Sequence, residues 1–318
     1  TSVSRGLGDV YKRQSEDKVL VKLRNGDELS GEVIIGAGGS YDLVSKRIRE
    51  IESMPMNWRD EDIAMALYFE VDVGREFMDE VYGEERISMA HIKYDGLDGY
   101  GWSFSKDTVL NVGIGCPRNI IKKLKSEKKG WSERKYLLDY VETLKEQGWF
   151  PKDIEVDRKM ISGANIPVGM GMSCTVGDRM MVVGDAGGFV SPLSGEGLYY
   201  ALDSGRLAAE SLDVLFPEGN FNKQDLMHYH RAWSSKWGDD LEWLKVGWHL
   251  LMVMPNSLIK YAALDEETKE FFTHMFVGSM PAAKIKNKVL ALIAKGVLKH
   301  EVLSLMTGNK QTVPELVS

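Results

Sequence analysis

The chain has 318 residues and a formal net charge of −7, with 40 Lys and Arg against 47 Asp and Glu. That length holds about two domains of ~150 residues, and the acidic balance argues against a nucleic-acid partner. Cys116 and Cys174 lie far apart with no CxxC pair, so they read as buried thiols in a reducing compartment and exclude a cysteine-ligated cluster within the chain. No apolar run of about 18 residues is present to span a bilayer; the expected location is cytoplasmic, with peripheral contact at a membrane left open.

Residues 1–14 (TSVSRGLGDVYKRQ) lack hydrophobic periodicity and look like a translated adaptor, so they are read as a non-native leader outside the fold. Gly6-Leu7-Gly8 has neither the strand before it nor the helix after it that a nucleotide loop needs. From 18 to 35 the pattern is a hairpin: Val19, Val21 and Leu23 alternate with Lys18, Leu20 and Lys22, Asn25-Gly26-Asp27 turns, and Val33-Ile34-Ile35 returns as a buried strand. Gly36-Ala37-Gly38-Gly39 then leads into a helix over 41–49 with Leu43, Val44 and Ile48 inside. Read alone, this is an ordinary strand, turn and helix, with backbone amides at Gly38 and Gly39 that a ligand can use.

Between 62 and 116 the composition changes to short alternating segments, IAMALYFEVDV, RISMAHIKY, GYGWSFS and TVLNVGIG, which predict a mostly antiparallel sheet. Tyr100, Trp102 and Phe104 fall at period two and share one face, either as core or as the aromatic wall of an apolar tunnel. Residues 122–148 predict one exposed amphipathic helix lying over the sheet, and 154–168 resume extended structure. After Phe216-Pro217 the chain is helical. A stripe from Leu226 through Tyr229, Trp233, Trp237 and Trp248 to Leu251 reads as core, and His228 and His230, two apart on a helix, cannot share a metal. No metal site is expected. A last helix beyond Pro281, with lysines opposite Ile285, Val289 and Leu292, fits a plain surface helix and an anionic lipid surface equally.

The most informative stretch is GDAGGFVSPLSGEGLYYALDSGRLAAESL, behind the apolar run Met180, Met181, Val182 and Val183. It predicts a buried strand, a glycine-rich turn and a long helix. Asp185 at the strand tip suits a ribose hydroxyl, and the helix start at Ser194, Gly195, Glu196 and Gly197 offers free N–H groups and the positive end of a dipole to an anion. Leu198, Ala201, Leu202, Gly205, Ala208, Ala209 and Leu212 are expected to form its packing face.

On these residues the stretch resembles the second flavin-contacting motif of FAD-dependent oxidoreductases of the p-hydroxybenzoate hydroxylase type, and most closely its geranylgeranyl reductase branch. YGWSFS followed by VNVGIG resembles the YxWxFP signature of that branch, departing at Ser105; GAGG resembles its GADG element, with Gly38 where the family has Asp. The resemblance implies an α/β (α+β) fold: a Rossmann-like FAD-binding domain over 15–50 and 151–216, an inserted sheet domain for substrate over 51–150 and a helical region over 217–318. It implies FAD as cofactor, held by Gly184, Asp185, Pro192, Gly195, Glu196 and Gly197 with Gly38 and Gly39. It also implies an isoprenoid lipid lying on Tyr100, Trp102 and Phe104, with Tyr100 as the one candidate proton donor. The implied reaction is saturation of geranylgeranyl double bonds in archaeal-type lipids, with electrons from NAD(P)H or ferredoxin. A monooxygenase or halogenase of the same fold, or a non-catalytic lipid-binding fragment, are the alternatives. The strand–GxGxxG–helix unit that normally opens such a domain has no counterpart in a valid context, so the first βαβ unit is expected to be missing and the chain as it stands is expected to hold FAD poorly.

Overall fold

A computed structural model describes residues 7–11, 18–23, 25–169 and 171–253, together with 269, 270 and 273. The last helix expected beyond Pro281 and the break expected at Pro255 lie outside the described residues.

Strand β1 (Leu7–Tyr11) pairs antiparallel with β2 (Val19–Leu23), which turns into β3 (Glu28–Gly31). Residues set aside on their sequence therefore occupy a sheet edge: an unpaired strand edge accepts an extended neighbour whatever its periodicity. The returning arm of the hairpin is the polar ELSG segment and not 33–35. Strand β4 (Ile34–Gly36) instead leaves the hairpin and runs parallel to a later strand, at the edge of a second sheet, where Ile35 is 43% exposed. Helix α1 (Leu43–Ile51) follows, capped by Asp42, and buries Val44 and Ile48.

The third sheet positions the site. Its strands are β5 (Ile63–Asp72), β6 (Met89–Ile92), β7 (Tyr100–Ser105), β8 (Val109–Pro117) and β9 (Ser162–Pro167), ordered β6-β7-β8-β5-β9 with every neighbour antiparallel. On one face Phe69, Leu110, Val112 and Ile114 bury against helix α4 (Glu133–Glu146), which contributes Tyr136, Leu137, Tyr140 and Leu144. The segment over 122–148 is thus two helices, α3 (Arg118–Glu127) and α4, separated at Gly130 with φ +81°; α4 is core, because its apolar side matches the sheet's buried face. Helix α2 (Arg75–Tyr82) lies between β5 and β6. It is eight residues between two left-handed glycines, Gly74 and Gly83, and inserts Met78 and Tyr82 into the same core.

The remaining layer contains β10 (Val176–Gly177) antiparallel to β11 (Met180–Val182), which is parallel to β4, and helices α5 (Leu198–Leu215), α6 (Lys223–Trp233) and α7 (Asp239–Val253), with a π turn at Ser234–Gly238 joining the last two. The expected aromatic stripe is core as read: Leu226, Tyr229, Trp233, Trp237 and Leu241 are buried, and the Tyr229 hydroxyl donates to the Val182 carbonyl at 2.7 Å. The packing face of α5 differs in part from the one its apolar residues predict. Ala208 and Leu212 are buried as expected, but Leu198 and Leu202 are 71% and 68% exposed, and Tyr200, Asp203, Ser204, Leu207 and Ser211 face inward alongside Ala208 and Leu212. Partners decide this. The Ser204 hydroxyl accepts the Gly184 N–H at 2.9 Å, and Asp203 accepts the Trp237 indole N–H at 2.9 Å and the Lys236 ammonium at 2.7 Å. Buried polar groups that find partners cost little, and here they set the rotation of the helix.

Burial works against ionisation of Asp203, but hydrogen bonds from Lys236, Arg206 and Trp237 prevail and hold its carboxyl below the ordinary range. Asp203→Ala leaves the Trp237 indole N–H buried without an acceptor and is expected to cost about 1–3 kcal/mol in urea denaturation at pH 7. A depressed carboxyl contributes stability above its unfolded-state pKa of about 4 and loses it as pH falls through the folded value. The gap between wild type and variant should therefore shrink when the titration is repeated near pH 3.

Candidate functional site

The face of the five-stranded sheet opposite α4 is built to leave room. Register places Tyr100 beside Gly115, Trp102 beside Gly113 and Phe104 beside Asn111, while Gly115 lies beside Ala66, which in turn lies beside Ala164. The strands thus carry large apolar residues toward the core and glycine, alanine or aromatics toward the other side. A Cβ on Gly113 would lie 2.2 Å from Cζ2 of Trp102, so the indole rests on bare backbone. Trp102 stacks on Phe104 (centroids 5.9 Å apart, planes at 23°) and contacts Tyr100 (5.6 Å). The strip faces a cavity of about 920 Å³ whose opposite wall is Ser194, Gly195 and Glu196. A second cavity, of about 520 Å³, shares Tyr100, Trp102 and Gly195 with the first and is closed by Pro192, Leu193, Trp248 and Met252. Trp248, read as core, lines this cavity.

The turn before α5 supplies the polar side. The Tyr100 hydroxyl donates to the Ser194 carbonyl, and burial pushes its pKa up to about 12. Gly195 has φ +72°, and a Cβ there would meet the Tyr100 hydroxyl at 3.5 Å. Glu196 accepts the Tyr199 N–H through Oε1 at 2.9 Å, while its buried Oε2 has no partner among the described residues. Gly197 is the N-cap of α5, with no side-chain cap. The Asp185 carboxylate lies against it, since a Cβ on Gly197 would be 3.3 Å from Asp185 Oδ1. Burial raises the Asp185 pKa, opposed only by a hydrogen bond from its own backbone.

A dinucleotide fits these residues. Among the described residues no cation pairs with the desolvated Asp185 carboxylate, which together with the unpartnered Glu196 Oε2 calls for hydroxyl or N–H donors from a ligand; at the start of α5 the Tyr199 N–H is already taken by Glu196. Two of the expected glycine contacts are otherwise engaged. The Gly38 N–H donates to Asp42 Oδ2 at 2.9 Å, and Asp42 Oδ1 accepts the Ser45 N–H at 2.7 Å. Asp42, which the sequence reading passed over, therefore ties the GAGG turn to α1 and occupies the amide that was expected to face a ligand. Gly39, with φ +75° and open space around it, is left free of this constraint. The Gly184 N–H is likewise taken by Ser204, and its φ of +56° serves the turn. His228 and His230 face different partners, Ser211 and Thr175. Both cysteines are free and buried, and among the described residues no helix is long and apolar enough to cross a membrane.

The fold has clear counterparts among solved structures. A geranylgeranyl bacteriochlorophyll reductase-like protein from Thermoplasma acidophilum superposes with TM-score 0.62 at 20% identity, over 78% of this chain and 58% of that one. A flavin-dependent halogenase superposes with TM-score 0.52 at 17% identity, over 75% and 40%. The chain thus has the fold of the FAD-dependent oxidoreductases. By sequence, it is 33% identical over 176 residues to a digeranylgeranylglycerophospholipid reductase of Methanococcus aeolicus, covering 54% of this chain and 41% of the relative. It is 28% identical over 210 residues to a menaquinone reductase of Mycobacterium tuberculosis, covering 64% and 46%. Its sequence similarity is thus to digeranylgeranylglycerophospholipid and menaquinone reductases over part of their length. The chain spans a little under half the length of these curated relatives, and no family profile matches it.

A carboxyl whose pKa is raised by folding weakens the fold as pH climbs from its unfolded value through the folded one. Asp185→Asn should therefore leave the chain as stable as wild type near pH 3 and equally or more stable at pH 7, as read by thermal melts. In the full-length protein the same variant should retain less FAD, as read by flavin absorbance after purification. A loss of stability at pH 7 would mean that the carboxylate is held by the fold and not waiting for a ligand.

Proposed function

We propose that the chain belongs to an FAD-dependent reductase that saturates carbon–carbon double bonds of geranylgeranyl chains in isoprenoid lipids. The observation that supports this most is the larger of the two cavities, walled on one side by Trp102 and Phe104 and on the other by the Ser194, Gly195 and Glu196 turn. Such a cavity sets an apolar chain against the groups that would hold a flavin. Its volume is in the range of small-molecule sites.

Reduced FAD, when bound, supplies the hydride for the alkene. The chain's own residues position the reactants and exclude water. Asp185 accepts hydrogen bonds from ribose hydroxyls, and the positive end of the α5 dipole stabilises negative charge beside it. Gly195 and Gly197, without side chains, let the ligand approach the backbone. Trp102 and Phe104 give the alkene a flat apolar support that keeps water away. Tyr100 keeps its proton across the working pH range because burial raises its pKa to about 12. Its hydroxyl secures the Ser194 turn, and we assign it as the proton source for the second alkene carbon: the O–H leaves the Ser194 carbonyl as it delivers its proton, and the phenolate regains a proton from solvent after product leaves. Electrons come from an external donor, NAD(P)H or ferredoxin, and the lipid substrate brings the enzyme to a membrane surface. A monooxygenase or halogenase shares the fold, and its product separates it from a reductase.

Two measurements test the reading. Geranylgeraniol should quench tryptophan fluorescence of the chain saturably, and Trp102→Ala should weaken that binding about tenfold, as loss of a large aromatic contact requires. Incubation of the full-length protein with FAD, dithionite and a geranylgeranyl lipid should give products heavier by two hydrogens per reduced bond. Hydroxylated or halogenated products formed with NADPH and oxygen, or no saturable binding of geranylgeraniol, would overturn it.

A further inference from the structure

The cavity depends on how the Trp102 ring is oriented, and Gly113 does not decide that. Bare backbone beneath the indole permits it to lie flat but offers no side chain to choose one rotation over another. The choice is made on the neighbouring strand. The indole Nε1–H donates to Asn111 Oδ1 at 2.7 Å, and Asn111 Nδ2 donates to Glu70 Oε1 at 3.0 Å. Lys106, just past the end of β7, pairs with that same carboxylate oxygen. The amide's orientation follows from chemistry: an indole N–H can only donate and a carboxylate can only accept, so the Asn111 carbonyl must face Trp102 and its NH₂ must face Glu70. The ladder crosses three strands on the cavity face, since Asn111 is the direct partner of both Phe104 and Glu70. Hydrogen bonds from Lys106 and then Asn111 hold the Glu70 carboxyl below its ordinary range, so the brace is charged at neutral pH.

We infer that Asn111 is a positioning residue for substrate: its side-chain amide, braced by Glu70 and Lys106, fixes the Trp102 indole flat against Gly113 and so keeps the larger cavity wide enough for a long prenyl chain. The substrate part of this inference rests on the proposed function above. A bulkier or freely rotating indole plane would stand into the cavity and obstruct a long chain more than a short one.

The test uses the whole chain labelled with ¹⁵N-tryptophan, in which Trp102→Phe identifies the Trp102 indole N–H resonance. In Asn111→Ala that resonance should move upfield while the other indole resonances stay in place, which also shows that the variant is folded. The Kd for geranylgeraniol should rise about fivefold, on the order of one hydrogen bond, with little change for the shorter geraniol. Asn111→Asp combined with Glu70→Gln exchanges the charge while keeping both hydrogen bonds, and should restore resonance and affinity together. An unmoved Trp102 resonance in Asn111→Ala would overturn the positioning role. A moved resonance with unchanged geranylgeraniol affinity would overturn its bearing on substrate. If wild type fails to bind geranylgeraniol saturably, the isoprenoid reading itself falls, and the substrate part of this inference falls with it, a result distinct from either of the others.

Discussion

The hydrogen bond from Tyr100 to the Ser194 carbonyl joins the antiparallel sheet to the turn that opens α5, and the cavity exists because of where it falls. Tyr100 stands at the start of β7, on the open side of the sheet, and its hydroxyl reaches a carbonyl in a segment 94 residues away. Gly195 follows that carbonyl with a positive φ, so the backbone turns away beside the hydroxyl and not over it. A side chain at 195 would be strained by the backbone conformation and would stand between Tyr100 and the space beyond. The aromatic ring and the glycine together keep the aromatic wall and the polar wall apart while holding them at a fixed distance.

The two faces of the five-stranded sheet show what the alternation of β8 is for. Leu110, Val112, Ile114 and Cys116 point to α4 and are all buried, whereas Asn111, Gly113 and Gly115 point to the cavity. Burying large aliphatics on one side supplies most of the favourable free energy of the sheet, at roughly 25 cal/mol per Å² of apolar surface. That stability permits glycines on the other side, where they lose entropy on folding and pack poorly. The sheet is stabilised from beneath so that it can be hollow above.

Much of this was legible in the sequence because it depends on short-range periodicity. The strands over 62–116 and the shared face of Tyr100, Trp102 and Phe104 follow from period two alone, and the buried strand before Asp185 follows from an uninterrupted apolar run. What was hidden depends on partners far along the chain. The rotation of α5 is set by Ser204 meeting Gly184 and by Asp203 meeting Trp237, contacts that no apolar periodicity contains. Asp42 looks like any N-cap until its second oxygen is found on the Gly38 amide. Asn111 and the two glycines of β8 gain meaning only once register sets them beside Phe104, Trp102 and Tyr100. The signal for them was present, as small residues at period two opposite an aromatic strip, but it required the pairing to be read.

The aspartates separate structure from site more sharply than the fold does. Asp42 spends both oxygens on backbone amides. Asp62 is buried, yet Arg59 and Lys245 reach it, and burial is outweighed so that its carboxyl lies below the ordinary range. Asp203 is treated the same way by Lys236, Arg206 and Trp237. Asp185 has burial without the compensation: desolvation raises its pKa, and the one opposing contribution is its own backbone N–H. A fold selected only for stability gains nothing from a half-buried carboxylate left in this condition, because a neutral isostere would remove the desolvation cost. Its place after a buried strand, against the start of α5, leaves hydrogen bonding open to donors that the described residues do not supply.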